Sequence, residues 1–497
     1  MDYADQLIAE MTASEVWPLK RERHILQEVH KRRAWRRGEK RVLEMLAKWD
    51  TRCTELFVGE EKREYIHDPL AKRIAGAFAD FLFGDEPTTV AHNERDQDWL
   101  DFICSENRLP SILHRAERVA ASEGEAWWHG WVDREVALSP LVEFVSRLRV
   151  VPLWRGDRLL AAAFISILAD EDDVVWRHLE VHADGRVVNA VFEGTRNQLG
   201  TRRDPKLRPE MQGVEEVWAH GLPILAGRIV NELDDDHELG IGEYDQIADL
   251  LLALNEARTI GAENTRLTAK KRLFVTESLM SPEGTFDAGS DVVQVSAQGG
   301  ALGEGGSTPP VSAVEYSYDA APLIAHNQDL ESTILSRVGL VPQIIGHQVD
   351  GQAESGTSIR LRFLPTEIAA DGKSREWADR LPIILQRLML VDQLPAERGG
   401  FGRTYAEAGA PPTVELGSIL PENDTEITNE AATAVSAGIR SVEQAVRDQH
   451  PEWSDQDVMD ELERIHGDTP SVAPIEPPAD PHMAPQVVDP TTDPLPA

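Results

Sequence analysis

The chain has 497 residues, 41% of them hydrophobic, enough to bury sizeable cores in several modules. Its formal net charge of -36 excludes a protein whose whole surface coats nucleic acid or an anionic membrane, while leaving room for a local basic site. Two cysteines, Cys53 and Cys104, are too few for a disulfide framework or a structural zinc site, and read as free core thiols in a reducing compartment.

The opening residues Met1-Asp2-Tyr3-Ala4-Asp5 lack the basic and apolar regions of a secretion signal. The longest apolar run, Leu159 to Ala169, is too short to cross a bilayer and reads as a buried strand or core segment. A cytosol-like environment without a membrane is expected. Residues 1–120 read as mostly helical. They concentrate Lys20, Arg21, Arg23, Lys31, Arg32, Arg33, Arg36, Arg37, Lys40, Arg41 and Lys48, either as a solvated helix face or as a contact for an acidic neighbour. That neighbour is another copy of this acidic chain or a nucleic acid.

Residues 120–235 change period. Leu148–Leu153, Leu159–Leu168 and Val174–Val181 are strand-like runs separated by polar turns. Asp184-Gly185 lies between two further runs and signals a hairpin, because glycine tolerates the positive φ of a tight turn. An antiparallel β-rich module is expected here. From Tyr244 to Ile260 the pattern turns helical, with Ile247, Leu250, Leu251, Leu254 and Ala257 on one stripe. It leads into Lys270-Lys271-Arg272-Leu273-Phe274-Val275. Ser281 to Pro310 is Gly-rich and reads as a small β module with a flexible tip.

A return helix spans 321–338. A third helix, Ser358 to Leu390, carries Pro365 and Pro382, each predicting a kink or break. Two short helices follow within 425–466, opened by Ser441 and Ser454. Pro470 to Ala497 holds nine prolines and neither lysine nor arginine, so that tail is expected to be disordered. No internal repeat is visible.

Catalytic signals are weak. Gly351-Gln352-Ala353-Glu354-Ser355-Gly356-Thr357 has the glycine spacing of a phosphate-binding loop, but threonine stands where lysine is needed. The acidic runs Asp170–Asp173 and Asp234–Glu238 read as solvated turns, since a hydrolytic metal site needs ligands converging from separate elements. The histidines show no metal-ligand spacing, and HExxH and GxSxG are absent from the sequence. Trp127-Trp128-His129-Gly130-Trp131 reads as core or subunit interface. The expectation is a chain without enzymatic activity, metal or cofactor.

Six segments in a fixed order carry a resemblance. They are Glu123–Trp127 with Val150–Trp154; His178–His182 with Gly185–Val188; Gly240–Ala257 into Lys271–Val275; Val338–Gly346; Glu354–Arg360; and Ala437–Glu443 with Trp453–Ile465. Over residues 120–466 this order resembles the portal proteins of tailed double-stranded DNA bacteriophages, of the long-tailed type. The resemblance implies an α+β, elongated subunit: a wing over 1–240, a first stem helix over 241–272 and a small β-rich clip over 273–320. A second stem helix (321–345), a tunnel loop (346–357), a long kinked helix (358–395) and wing or crown-proximal helices (396–466) complete it, before the tail at 467–497. The wing assignment of residues 1–120 rests on position alone.

The implied function is a portal vertex subunit in the virion, assembled in the host cytoplasm. It forms a homo-oligomeric ring of about twelve subunits. Double-stranded genomic DNA passes through that ring during packaging and ejection. Implied partners are the terminase large subunit, a head-completion or adaptor protein, and the major capsid and scaffold proteins. By position, His347, Gln348, Val349, Asp350 and Gln352 of the tunnel loop would meet DNA, and Phe286, Asp287, Val292, Val293 and Tyr316 would serve clip docking. The alternatives are a capsid scaffold or internal structural protein without a channel, and a metal-dependent nuclease built on the acidic clusters.

Overall fold

The computed structural model describes residues 2–38, 66–233, 239–269, 272–275, 311–314, 319–346, 356–417, 431–449 and 455–468. The chain divides into two compact units, Met1–Leu420 and Pro421–Ala497.

In the first unit the N-terminal third is helical, as the sequence predicts. Helix α1 (Tyr3–Ala13) is capped by Asp2, whose carboxylate accepts from the Ala4 amide at 2.9 Å. Helices α2 (Glu22–Arg37), α3 (Leu70–Phe83), α4 (Gln97–Glu106) and α5 (Leu109–Glu123) follow. The basic residues of this region follow neither reading cleanly. Arg32 is buried against Asp245 at 2.6 Å, Arg36 meets buried Glu123 at 2.5 Å, and Arg21 meets Glu10 at 2.9 Å. Part of the cationic helix face is therefore paired within the chain. Lys40, Arg41 and Lys48 lie outside the described residues.

The β-rich module forms two antiparallel sheets. A three-stranded sheet has the order β10 (Ala226–Val230), β2 (Glu125–Trp131), β3 (Leu141–Ser146). The larger sheet runs β4 (Val150–Arg155), β5 (Arg158–Glu171), β6 (Val174–Ala183), β7 (Arg186–Thr195) and β8 (Gln198–Arg203). The short β9 (Val217–Trp218) also pairs with β7. The β6–β7 hairpin turns at Asp184-Gly185, where Gly185 has φ +81°. Trp127, Val145, Val150, Ala162, Phe164 and Ala226 pack between the sheets, and α1 covers the large sheet through Ala4, Leu7, Ile8 and Met11.

Helix α6 (Ala248–Ala269) begins four residues later than the sequence pattern suggests. The physical reason lies in Tyr244 and Asp245. Tyr244 is buried and its hydroxyl donates to the Ala71 carbonyl at 2.8 Å, while the Asp245 carboxylate accepts from the Gly242 amide at 2.9 Å. These tertiary bonds hold a turn in place of helix. Strands β11 (Arg272–Val275) and β12 (Val311–Val314) pair before α7 (Ala321–Arg337).

Helix α8 (Gly356–Gln393) runs through both Pro365 and Pro382, where a kink or break is expected. Each proline removes the hydrogen bond to the carbonyl four residues earlier. Those residues, Leu361 and Ala378, are both exposed, so water can take the freed acceptors. Meanwhile Trp377, Leu381, Ile384, Leu385, Leu388 and Met389 are buried with α4, α5 and the three-stranded sheet. Packing thus outweighs the two lost bonds. A final strand, β13 (Thr413–Glu415), pairs with β1 (Thr88–Val90).

The second unit contains α9 (Val442–Gln449) and α10 (Asp455–Asp468). Ser441 caps α9, accepting from the Gln444 amide at 3.1 Å. Among its described residues, Ala431, Ala445, Val446 and Val458 are buried and apolar.

Candidate functional site

The residues assigned to the tunnel loop, His347, Gln348, Val349, Asp350 and Gln352, lie outside the described residues. So do the docking residues Phe286, Asp287, Val292, Val293 and Tyr316. The structure supplies the frame that carries both segments, and that frame is specific.

Its core is the helix pair α6 and α7. Gln246 meets Arg337, Arg258 meets Glu331, and Gly261 lies against Leu323, so the contacts descend along one helix as they rise along the other. The pair is antiparallel. Leu251, Leu254 and Ala257 of α6 share a core with Leu330, Ile334, Leu335 and Val338 of α7 and with Ile74, Ala75 and Phe78 of α3. The pattern reflects the apolar stripe visible in the sequence. A Cβ on Gly261 would stand 2.5 Å from a Leu323 methyl group, so small size at this position permits the close approach.

Arg258 ties three segments together. It pairs with Asp68 at 2.7 Å and with Glu331 of α7. Asp68 in turn caps α3 by accepting from the Leu70 amide at 2.8 Å, and its own amide donates to Asn255 of α6 at 2.7 Å. At the far end of the pair the backbone closes on itself. Arg272 faces Val314, Leu273 faces Ala313, Phe274 faces Ser312 and Val275 faces Val311 in an antiparallel ladder. The segment 276–310 thus leaves and returns at one clasped base.

The opposite flank frames the 347–355 segment. Thr366, fully buried in α8, donates to the Gly339 carbonyl at 3.0 Å and accepts from the Val341 amide at 3.2 Å. Gly339 has φ +73°, and a Cβ there would lie 2.7 Å from the Ala369 methyl group. Only glycine meets both demands. Arg73 of α3 donates to the Ile345 carbonyl. The segment therefore springs from a turn held by α3 and α8.

A polar joint connects this frame to the β-sheets. Arg32 donates to Asp245 at 2.9 Å and to the carbonyls of Glu123 and Gly240 at 2.8 and 2.7 Å. Gly124, at φ +95°, lets its backbone touch that of Gly240, where a Cβ would be 2.1 Å from the carbonyl oxygen. Beside the joint, Lys373 of α8 pairs with Glu243 at 2.5 Å, donates to Asn231 and sits 4.6 Å over the Phe78 ring. Glu117 of α5 accepts from the Trp377 indole at 2.6 Å. Burial pushes the Glu117 carboxyl up to about 7, with Lys373 and the Trp377 bond opposing.

Other sequence readings resolve as follows. Trp127 and Trp128 are core residues. Asp170 and Glu171 end β5 and Asp172 and Asp173 form the β5–β6 turn, all four exposed, with positive φ at Asp172 and Asp173. Cys104 is a half-buried free thiol, pushed up to about 11 by burial, and Cys53 lies outside the described residues. The residues that sequence reasoning missed are Arg73, Glu117, Thr366 and Lys373, and Arg32 was read only as part of a basic face. Their partners lie far away in the chain, so local pattern carries no signal for them.

A family model described as "Phage portal protein, SPP1 Gp6-like" matches residues 59–469. No curated protein sequence matches the chain. Among solved structures, a chain in the neck of a native GTA particle, computed with C12 symmetry, aligns at TM-score 0.45 and 12% identity, covering 77% of this chain and 89% of that one. A chain in the neck of an empty GTA particle, computed with C6 symmetry, aligns at TM-score 0.44 and 11% identity, covering 76% and 89%. A chain of the native gene transfer agent virion aligns at TM-score 0.41 and 12% identity, covering 76% and 88%.

Proposed function

The chain belongs to the SPP1 Gp6-like phage portal protein family and is a portal vertex subunit; from that premise we propose that copies join head to tail in a ring, about twelve in the particle, around a channel for double-stranded DNA. DNA enters through this ring during packaging and leaves through it during ejection. The family is one of structural proteins, so ATP hydrolysis belongs to the terminase motor that docks on the ring. The ring stands at the portal vertex of the virion, against the major capsid and scaffold proteins, after assembly in the host cytoplasm.

Residues 273–320 form the clip in this reading. Phe286, Asp287, Val292, Val293 and Tyr316 present it first to the terminase large subunit and later to a head-completion or adaptor protein. The clasped β11–β12 base supports this, because a docking insert needs a rigid root. Residues 346–357 form the tunnel loop, with His347, Gln348, Val349, Asp350 and Gln352 nearest the duplex.

Charge supports a sliding contact. The loop carries Asp350 and Glu354 but no lysine or arginine, within a chain of net charge -36. A wall that attracts phosphates holds them, whereas one that repels them leaves the duplex mobile.

The observation that carries the ring, beyond family membership, is an apolar row on the outer face of α8. Leu361, Leu364 and Ile368 are 67%, 45% and 68% exposed. Exposed rows of this kind mark surfaces covered in an assembly. Negative-stain microscopy with native mass tests the reading. Rings with a central hole are expected, and an alanine series over Gln348–Gln352 should impair packaging or ejection. A compact monomer in the presence of its capsid partners would overturn the ring, and normal packaging by the alanine series would overturn the loop assignment.

A further inference from the structure

One cluster in the first unit plays no part in the channel frame. His129 lies on β2 of the three-stranded sheet, while Glu180 and His182 lie on β6 of the larger sheet. Glu180 and His182 are two residues apart on a strand, so both side chains point to the same face. That face is turned toward His129. One donor atom from each of the three residues falls within 4.8 Å of the other two.

We propose that His129, Glu180 and His182 bind one divalent transition-metal ion of the zinc class, which braces the two sheets against each other. The donor atoms suit it. Zinc holds nitrogen and oxygen ligands at about 2.0–2.2 Å in a tetrahedron, which places neighbouring donors roughly 3.3 Å apart. Here Glu180 Oε1 lies 2.8 Å from His182 Nε2 and 3.4 Å from His129 Nδ1. Both distances from Glu180 bracket that spacing, and the three donors stay within 4.8 Å of one another. Two imidazoles and a carboxylate also favour zinc over magnesium or calcium, which take oxygen ligands.

Two further observations point to a ligand. His129 is buried, and its Nδ1 makes no hydrogen bond although it faces Glu180. Nδ1 and the carboxylate form a loose ion pair, and an ion bound between them would displace the proton they hold. On the far side of the ring, His129 Nε2 lies 3.5 Å from Glu143 Oε2. Metal-bound histidines commonly donate their second nitrogen to a carboxylate in this way, which fixes the tautomer. The Phe164 ring lies 4.3 Å from the His129 ring, centroid to centroid, and shields one side. Glu180 is partly exposed, which leaves a route for the ion and for a water as fourth ligand.

The inference is independent of the channel reading, since none of these residues touches the frame of the 347–355 segment. The test strips the full-length protein with a chelator and titrates it with zinc under equilibrium dialysis. Uptake of one zinc per chain is expected, together with a rise in thermal midpoint that magnesium does not reproduce. His129→Gln and His182→Gln should each abolish that uptake, and Glu143→Gln should weaken it about 10- to 100-fold. Uptake unchanged in both histidine variants would overturn the proposal, as would no uptake by the parent. Should a variant fail to fold, cobalt(II) bound to the parent protein gives a second readout. Visible bands of a tetrahedral site, displaced by one equivalent of zinc, support the assignment, and their absence refutes it.

Discussion

At the scale of single residues, three cations tie distant segments of the fold together. Arg32, Arg258 and Lys373 each join segments more than 60 positions apart. Glu117 is the opposite case, a carboxyl buried beside Trp377 with its second oxygen unpaired. Burial holds its folded-state pKa near 7, above the ordinary carboxyl value. The folded chain therefore keeps a proton that the unfolded chain releases between about pH 4.5 and 7. Stability drawn from this group is complete at low pH, falls as pH rises through that window, and is fully lost above about 7. Glu117→Gln keeps an oxygen for the Trp377 indole and removes the titration. The thermal midpoint of the variant should gain on that of the parent between pH 5 and pH 8. A difference between the two that does not change with pH would show that Glu117 titrates normally.

At the scale of elements, the helices and the hairpin were legible because each rests on local rules. The stripe of Leu251, Leu254 and Ala257, the Asp184-Gly185 turn and the Ser441 cap needed only a few neighbouring residues to declare themselves. What was not legible depends on distant partners. Proline at 365 and 382 predicted interruption, but the residues whose carbonyls are freed, Leu361 and Ala378, are exposed while Trp377 and Leu381 are buried. The candidate site divides in the same way. Sequence order proposes a loop and a clip, but nothing local marks Thr366 as the residue that fastens α8 to the turn after α7. That clasp makes a specific prediction. Thr366→Val keeps the shape and leaves the Gly339 carbonyl and the Val341 amide without their partner. The loss should be about 1–3 kcal/mol. If opening of this clasp is local, protease cleavage between Gly346 and Gly356 should accelerate by on the order of tenfold, since tenfold corresponds to about 1.4 kcal/mol when opening is in fast equilibrium. Unchanged cleavage and an unchanged unfolding midpoint would remove Thr366 from the frame.

At the scale of the whole molecule, the question is what covers α8. Leu361, Leu364 and Ile368 recur at helical spacing, on the side away from the buried Trp377 and Leu381. Ile368 also rims an open groove of about 430 Å³, with Phe81, Leu82 and Leu416 among its walls. A row beside a groove suits a head-to-tail contact, in which one surface of a subunit meets a different surface of the next. Such contacts repeat around a closed ring, so a modest change at one residue is paid once per subunit. Burying an isoleucine side chain contributes about 2 kcal/mol. Replacing it with a charge adds the cost of desolvating an unpaired carboxylate at every interface. Ile368→Glu should therefore shift the protein from rings to free subunits in native mass measurements at equal concentration. The fold of the single subunit should survive, because a residue 68% exposed contributes little to the subunit's own core. Circular dichroism of the dissociated variant checks that point. Rings of unchanged mass and abundance in Ile368→Glu would place the interface elsewhere on the subunit.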